Sequence, residues 1–455
     1  MVGLVSLIAL EALAVATVMP RAATDLRGLS LYGLLFGGPL AASLLGMVAA
    51  GRWSDRHGPL PPLWGGGTGF VSGLVVGGLA PSMSWLVAGR LLAGLGSGML
   101  SVALYALVGR LYPTALHARV FTAFSAAWVL PSLIGPALGG LAADALGWRW
   151  ALLGVALLTL PAAALLKRIA PVRPARCRAP HARDGPRQLL WALGAAAGAL
   201  TLHYAGQHTA GHPAPGAMTF AAAWLMPAAL VLLLLSARRL LPPGSLAARA
   251  GLPAAIALNG LAQAAFFATE AFLPLLLFRE RGLSVGTAGL LLSAGAVSWS
   301  ASAACRGAIG AHTGTAGLLR LGMTLLALGI ALSATAVSAT TPVALAVAGW
   351  VTAGAGMGLI SPTLSVLTLA LSPPDRQGDT GAALRLSAAL STTAALAFGG
   401  LVFAQLLPIS PQAAYLGSLG FPAALAVLGA VIAGRATGPE PLAAVDRETR
   451  PASTV

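Results

Sequence analysis

Residues 86–101, LVAGRLLAGLGSGMLS, carry one charge, Arg90, in an otherwise uncharged helical stretch. An arginine at bilayer depth costs about 2.5–3.5 kcal/mol on insertion scales, so it turns toward a cavity or a carboxylate. Gly94, Gly96 and Gly98 strip side chains from the same stretch and let a neighbouring backbone come close. The pattern returns about 260 residues on: Ala93-Gly94-x-Gly96-x-Gly98-x-x-Ser101 is echoed by Ala353-Gly354-x-Gly356-x-Gly358-x-x-Ser361. Trp350 stands where Arg90 would recur. The chain therefore reads as two copies of one unit, of which only the first keeps the arginine.

Composition names the solvent. Of 455 residues, 57% are hydrophobic and 9% charged, where soluble domains carry about 25% charge. A water-soluble body lacks the polar surface it needs, and an all-α integral membrane fold follows. The net charge of +15 would point to nucleic acid in a soluble protein. Here it reads as the basic bias of cytoplasmic loops, with no nucleic-acid partner. Cys177 and Cys305 lie on expected cytoplasmic segments or their helix ends, in no metal-ligand spacing, and no disulfide or metal is expected. The first apolar run lacks a basic leader and carries Glu11 in its middle, so it reads as a retained helix.

Apolar runs of about 20 residues mark helices that cross a bilayer. Fourteen are expected, near 2–22, 31–51, 61–80, 84–108, 118–142, 148–168, 189–206, 217–237, 252–278, 286–307, 316–337, 342–371, 382–407 and 413–434. An even number puts both termini on one side. With that side cytoplasmic, 21 of the 27 basic residues fall inside and five outside, and Arg90 lies within the membrane. That asymmetry sets the orientation: a multi-pass cell-membrane protein with both termini in the cytoplasm. Glu11 and Glu270 lie 259 residues apart, and Pro113 maps onto Pro373. A six-helix unit occupies about 170 residues, so the repeat offset leaves room for two inserted helices. The expected plan is 6+2+6: a six-helix bundle over 1–170, a basic linker and helix pair over 171–250, a second bundle over 251–435, and a polar tail over 436–455. Parallel six-helix halves place a substrate site between them near the midplane.

Gly51-Arg52-Trp53-Ser54-Asp55-Arg56-His57-Gly58 follows the second helix. It resembles the G-x-x-x-D-R-x-G signature loop of the major facilitator superfamily, with Pro59-Leu60 in place of the usual basic pair. Gly307-x-x-x-Ala311-His312-x-Gly314 is a decayed second copy. Two glycines allow a tight cytoplasmic turn, and the Asp55–Arg56 pair can bridge to the opposite half as a gate. In the fifth helix, Pro131, Gly135 and Gly139 are spaced by four, as are Pro136 and Gly140. Gly135-Pro136-x-x-Gly139-Gly140 resembles the antiporter motif of the same superfamily, with Pro131 replacing its usual first glycine. The same stripe is also a smooth packing seam of the kind common in membranes. In the first helix Glu11 precedes Pro20 by nine residues, with Ala23 and Asp25-Leu26 beyond. This is similar to the opening motif of the fourteen-helix drug:proton antiporters, although Leu13 and Ala16 replace the polar residues usual between acid and proline. The resemblance covers nearly the whole chain. It implies a proton-coupled exporter of hydrophobic small molecules, whose partners are its cargo, protons and the lipid bilayer, with no cofactor.

Three charges carry the coupling expectation. Glu11 sits near mid-membrane, and Arg90 lies about 10 Å inside the outer end of its helix. The two are expected to pair in one state and part when Glu11 takes a proton; a static ion pair that orders the bundle is the alternative. Asn259, Gln263, Phe266 and Glu270 fall on one face of the ninth helix, with Phe267 beside them and Pro274 just beyond. Lipid penalises that face, so it should look into a central cavity; Trp128, Trp299 and Trp350 could line that cavity or equally face lipid. Glu270 has no matching arginine, and is a candidate proton carrier or contact for a cationic compound. A protonated glutamate bonded to a backbone carbonyl is the plainer reading. His203, Tyr204, His208 and His212 lack metal spacing, and Asp375, Arg376 and Arg385 read as topology charges.

No phosphate-cradling loop, nucleophile elbow or zinc spacing occurs in the sequence, so an enzyme and an ATP-driven pump are both disfavoured. Two alternatives to export remain: an importer or metabolite symporter on the same fold, and a non-transporting membrane sensor. The sequence gives no oligomeric interface, and a monomer is the expectation.

Overall fold

The computed structural model describes residues 1–111, 114–169, 185–210, 217–372 and 377–437. Among these residues all regular structure is helical. The elements are α1 (Val2–Asp25), α2 (Tyr32–His57), α3 (Leu60–Gly78), α4 (Met83–Leu111), α5 (Thr114–Leu146), α6 (Arg149–Ile169), α7 (Gly185–Ala210), α8 (Ala217–Leu240) and α9 (Leu252–Arg279). A long element over Val285–Ala334 is broken at Gly314, whose φ of 66° no helix contains; it is counted as α10 (285–313) and α11 (315–334). Then come α12 (Val343–Ala370), α13 (Gln377–Leu406) and α14 (Pro411–Ile432). Nine of these helices, α1, α2, α4 and α9 to α14, are long and apolar enough to cross a bilayer by length and composition. The apolar ends of α5 and α6 qualify together as a pair bent by 118°. Glycines and two prolines dilute α3.

The exterior confirms the solvent. Leu138 and Leu141 of α5, Leu230, Val231, Leu234 and Leu235 of α8, and Val427, Leu428 and Val431 of α14 are all exposed. In water such a surface would aggregate; in lipid it is ordinary. The largest core runs from α1 to α14 and holds Tyr32, Phe70, Trp148, Phe272, Trp350, Phe403 and Tyr415.

The glycine echo has a structural meaning. A side chain at Gly94 or Gly98 of α4 would collide with the α2 backbone at Pro39 or Ser43, and one at Gly354 or Gly358 of α12 would collide with α10 at Gly295 or Trp299. Gly96 faces α3 at Gly66 and Phe70, as Gly356 faces α11 at Gly322 and Leu326. Gly73 meets Gly89 and Ala93, as Gly329 meets Gly349 and Ala353. The fourth helix of each half, α4 or α12, is thus sandwiched by the same contacts, made through backbone rather than side chains.

The signature segment is not a loop. Residues 51–57 continue α2, and only Gly58 turns, with φ 87°. Gly51 is therefore a helical glycine, with open space where a side chain would stand. The decayed copy behaves alike: residues 307–313 stay helical and Gly314 turns, 256 residues after Gly58. A positive φ is available at little cost only to glycine, which explains why this position survives where the charges between do not.

Helix α7 pairs with α8 and seats against both α2 and α13. Ala195, Ala196 and Ala199 share small clusters with Ala41 and Leu44 of α2 and with Leu390 and Ala394 of α13. Leu202 joins Ala397 and Leu401 further along α13. The helix pair therefore covers the seam between α2 and α13.

Candidate functional site

The site begins with a proline. Pro39 has no amide hydrogen, so the Leu35 carbonyl one turn earlier loses its helical donor. Gly94 brings α4 against Pro39, and Arg90, one turn before Gly94, supplies the missing bond: its Nε donates to the Leu35 carbonyl at 3.3 Å. Its Nη1 meets Glu11 Oε1 of α1 in an ion pair. Both residues are buried, at 7% and 6% exposure for Glu11 and Arg90. It is the one ion pair among the described residues. Three helices are held together by one guanidinium.

The same logic recurs at α5. Pro131 frees the Ala127 carbonyl, and Ser6 Oγ of α1 donates to it at 3.0 Å. Below it Gly135 faces Leu10 and Leu13, and Gly139 faces Ala14, all on α1. Pro136 and Gly140 look the other way, toward α10: a side chain at Gly289 would strike the Pro136 carbonyl, and one at Gly140 would meet Val285 and Gly286. The stripe is a two-sided seam that lets α5 lie against α1 and α10 at once.

In the second group the arginine's place is taken by an indole. Trp350 Nε1 donates to the Leu292 carbonyl of α10 at 3.3 Å, much as Arg90 donates to Leu35. Its ring stacks on Phe266 of α9, with centroids 4.6 Å apart and planes 24° apart. Trp299 and Phe267 meet Phe266 edge-on at 5.2 and 5.5 Å. Glu270, one turn beyond Phe266, is buried at 8% exposure and makes no ion pair or hydrogen bond among the described residues. Gln263 is half-buried on the same helix. Asn259 was expected on the cavity face with them; its amide Nδ2 instead donates to the Leu384 carbonyl of α13 at 2.9 Å.

Sequence reasoning did not find two contacts. Tyr32 is fully buried and its hydroxyl donates to the Ala271 carbonyl at 2.8 Å, joining the start of α2 to α9 beside Glu270. Arg385 read as a topology charge, yet it lies about two turns inside α13. Its guanidinium bonds the Tyr105 hydroxyl of α4 and covers that ring at 4.6 Å from the centroid. Its depth below Gln377 was the available signal, hidden by uncertainty in where α13 begins. Tyr32 carried no signal, because a tyrosine at a membrane boundary is unremarkable.

Other expected residues are unevenly placed. Arg56 is exposed at the end of α2. The side chains of Asp55, Trp128, His203, Tyr204 and His208 lie outside the described residues, as do His212, Cys177, Asp375 and Arg376 entirely. Cys305 is exposed and free. No cluster of metal-binding side chains occurs among the described residues.

These features define a class: a multi-pass helical membrane transporter, built on a repeated glycine-packed helix sandwich around buried charges. The sequence profile of the Major Facilitator Superfamily matches residues 1–396, and the chain belongs to that family. A probable multidrug-efflux transporter of Mycobacterium tuberculosis is 34% identical over 177 residues, covering 37% of this chain and 35% of that protein. The multidrug transporter protein MdtP of Bacillus subtilis is 32% identical over 142 residues, 31% of this chain and 26% of its own length. The chain thus matches between about a quarter and a third of the length of these curated relatives. Among solved structures, a bacterial homologue of the human lysosomal transporter Spinster, inward-facing and unoccupied, aligns with TM-score 0.67 at 16% identity over 95% of both chains. An auto-inhibited peptide transporter of the POT family aligns with TM-score 0.66 at 16% identity, again over 95% of both. Such identities speak for the fold alone.

Proposed function

We propose that the protein is a proton-coupled antiporter that exports hydrophobic small molecules across the cell membrane by alternating access. The observation that carries the reading is the buried Glu11–Arg90 pair bonded across α1, α2 and α4. An ionised Glu11 holds Arg90. A proton arriving on Glu11 removes that attraction, and Arg90 keeps its bond to Leu35 while α1 is released. The coupled charge draws on the membrane potential at about 2.3 kcal/mol per 100 mV, plus any pH difference.

The cargo surface is the Phe266–Trp350–Trp299–Phe267 cluster with Glu270 one turn away. Stacked aromatic faces beside an unpaired carboxylate suit a hydrophobic cation or zwitterion. Two six-helix bundles, with α7 and α8 inserted, rock about that surface. The arginine bias puts both termini in the cytoplasm. Export is favoured by the Gly135-Pro136-x-x-Gly139-Gly140 seam and by relatives named for multidrug efflux.

Inverted membrane vesicles with an imposed pH gradient test this. A fluorescent hydrophobic cation should accumulate only when the interior is acidic, and Glu11→Gln should abolish the gradient dependence. Equal accumulation with and without the gradient overturns the reading. Uptake by proton symport on the same fold is the second reading; accumulation in right-side-out vesicles, driven by external acid, would establish it.

A further inference from the structure

The two helix groups touch at opposite ends of the membrane in different ways. At the near face, where α2 hands over to α3, Arg385 reaches Tyr105. At the far face, where α1 hands over to α2, close backbone approach is joined by one side-chain bond. Pro136, Gly140 and Asp144 lie at four-residue intervals on one side of α5. They meet Gly289, then Val285 and Gly286, then the Gly286 amide. The Asp144 Oδ2 accepts from the Gly286 N–H at 2.8 Å.

That amide belongs to the first turn of α10, where amides have no helical partner. Ser284, the residue before the helix, satisfies the Thr287 amide at 3.1 Å. Asp144 satisfies a second one, from a different helix group. A carboxylate is the preferred acceptor there, because the helix start carries a partial positive charge. Glycine at 286 leaves room for it: a side chain there would come within 2.6 Å of the Asp144 oxygen and displace it. The base of α5 is itself braced. Trp148 Nε1 donates to Asp25 of α1 at 3.1 Å, and Arg149 donates to the Ala80 carbonyl at 3.1 Å.

We propose that Asp144 is the pin of the far-face gate: it caps α10 from the opposite helix group, and the bond breaks each time that face opens. Rotation of the groups away from one another at this face pulls α5 from α10. The glycines offer a smooth surface with no side chains to interlock, so the carboxylate–amide bond is the directional element of the seam. Losing it biases the protein toward the far-face-open state. The inference rests on the alternating-access reading above, and goes beyond it by naming a gating residue on neither coupling acid.

Two measurements test it, both with Cys177→Ser and Cys305→Ser. In the first, spin labels at Leu146→Cys and Leu290→Cys, both exposed positions, report the separation of α5 and α10 in nanodiscs. Asp144→Ala should raise the population at longer distance on the order of fivefold, the size of a lost helix cap. Asp144→Asn should stay near the parent, because its amide oxygen still accepts. An unchanged distribution in Asp144→Ala overturns the proposal. In the second, Asp144→Cys with Gly286→Cys is oxidised to a disulfide. Cargo movement should stop and return on reduction; movement at the parent rate while cross-linked overturns the proposal, even if Asp144→Ala fails to fold. The distance measurement needs no cargo. A wild-type protein that moves no hydrophobic cation would sink the export reading and leave this result standing.

Discussion

The Leu35 carbonyl takes its hydrogen bond from Arg90 of α4 and not from its own helix, because Pro39 stands where the donor should be. A helix defect and a membrane-buried charge thereby offset one another. The guanidinium gains a fixed acceptor, leaving a second edge free for Glu11. Replacing Pro39 by alanine should restore the internal bond and loosen Arg90. We expect folded protein with transport slowed several-fold and, on the proposed coupling, a weaker dependence on the proton gradient, read in vesicles.

Removing one partner of the buried pair strands the other. Arg90→Ala should destabilise by about 3–5 kcal/mol, and Glu11→Gln, which keeps an acceptor oxygen but leaves the guanidinium charge unneutralised, by a similar or somewhat smaller amount. In transport the ranking changes: Glu11→Gln should flatten the pH profile and abolish gradient-driven export. Thermal unfolding in detergent and vesicle assays on the same preparations separate the two effects. A Glu11→Gln protein with a normal pH profile would remove Glu11 from the coupling scheme.

Glycine contacts predict equal trouble in both halves. Alanine at Gly94 or at Gly354 meets backbone, not a movable side chain. Overpacking of this kind costs about 1–3 kcal/mol. Both variants should lower the melting temperature alike. Gly51→Ala, which lies inside α2 and meets nothing within 4 Å, should leave it unchanged or raise it slightly.

Trp350→Phe keeps an aromatic face on Phe266 but loses the bond to Leu292. Cargo affinity should change little. Trp350→Ala should weaken binding of an aromatic cation at least tenfold, and Glu270→Gln should weaken cations selectively over neutral analogues. Fluorescence titration of purified protein gives both numbers.

Arg385 and Tyr105 form a near-face contact between helix groups. Their coupling should measure about 0.5–2 kcal/mol in a double-mutant cycle built on Arg385→Gln and Tyr105→Phe. A coupling of zero would mean that the contact contributes nothing.

Much of this was legible in residues 86–101 and their echo. The paired glycines announced a repeated close approach of helices, because nothing else explains small residues at matched spacing in a lipid environment. Glu11 and Arg90 stood out as charges where hydrocarbon penalises them, and the structure brings them together. What stayed hidden was direction. Asn259 shares a helical face with Glu270, yet the face is wide enough for one end to serve α13 and the other the aromatic cluster. Gly51 looked like a turn, because charge density suggested that α2 had ended; the helix runs on to His57. The bonds of Tyr32 and Asp144 end on backbone atoms, which no side-chain pattern reports.

The helix pair α7–α8 straddles α2 and α13, and α7 meets them largely through Ala195, Ala196 and Ala199. Short methyl groups have no teeth to engage. If the two halves rock as proposed, a strap faced this way would act as a plain bearing rather than a brace, letting α2 and α13 glide beneath it.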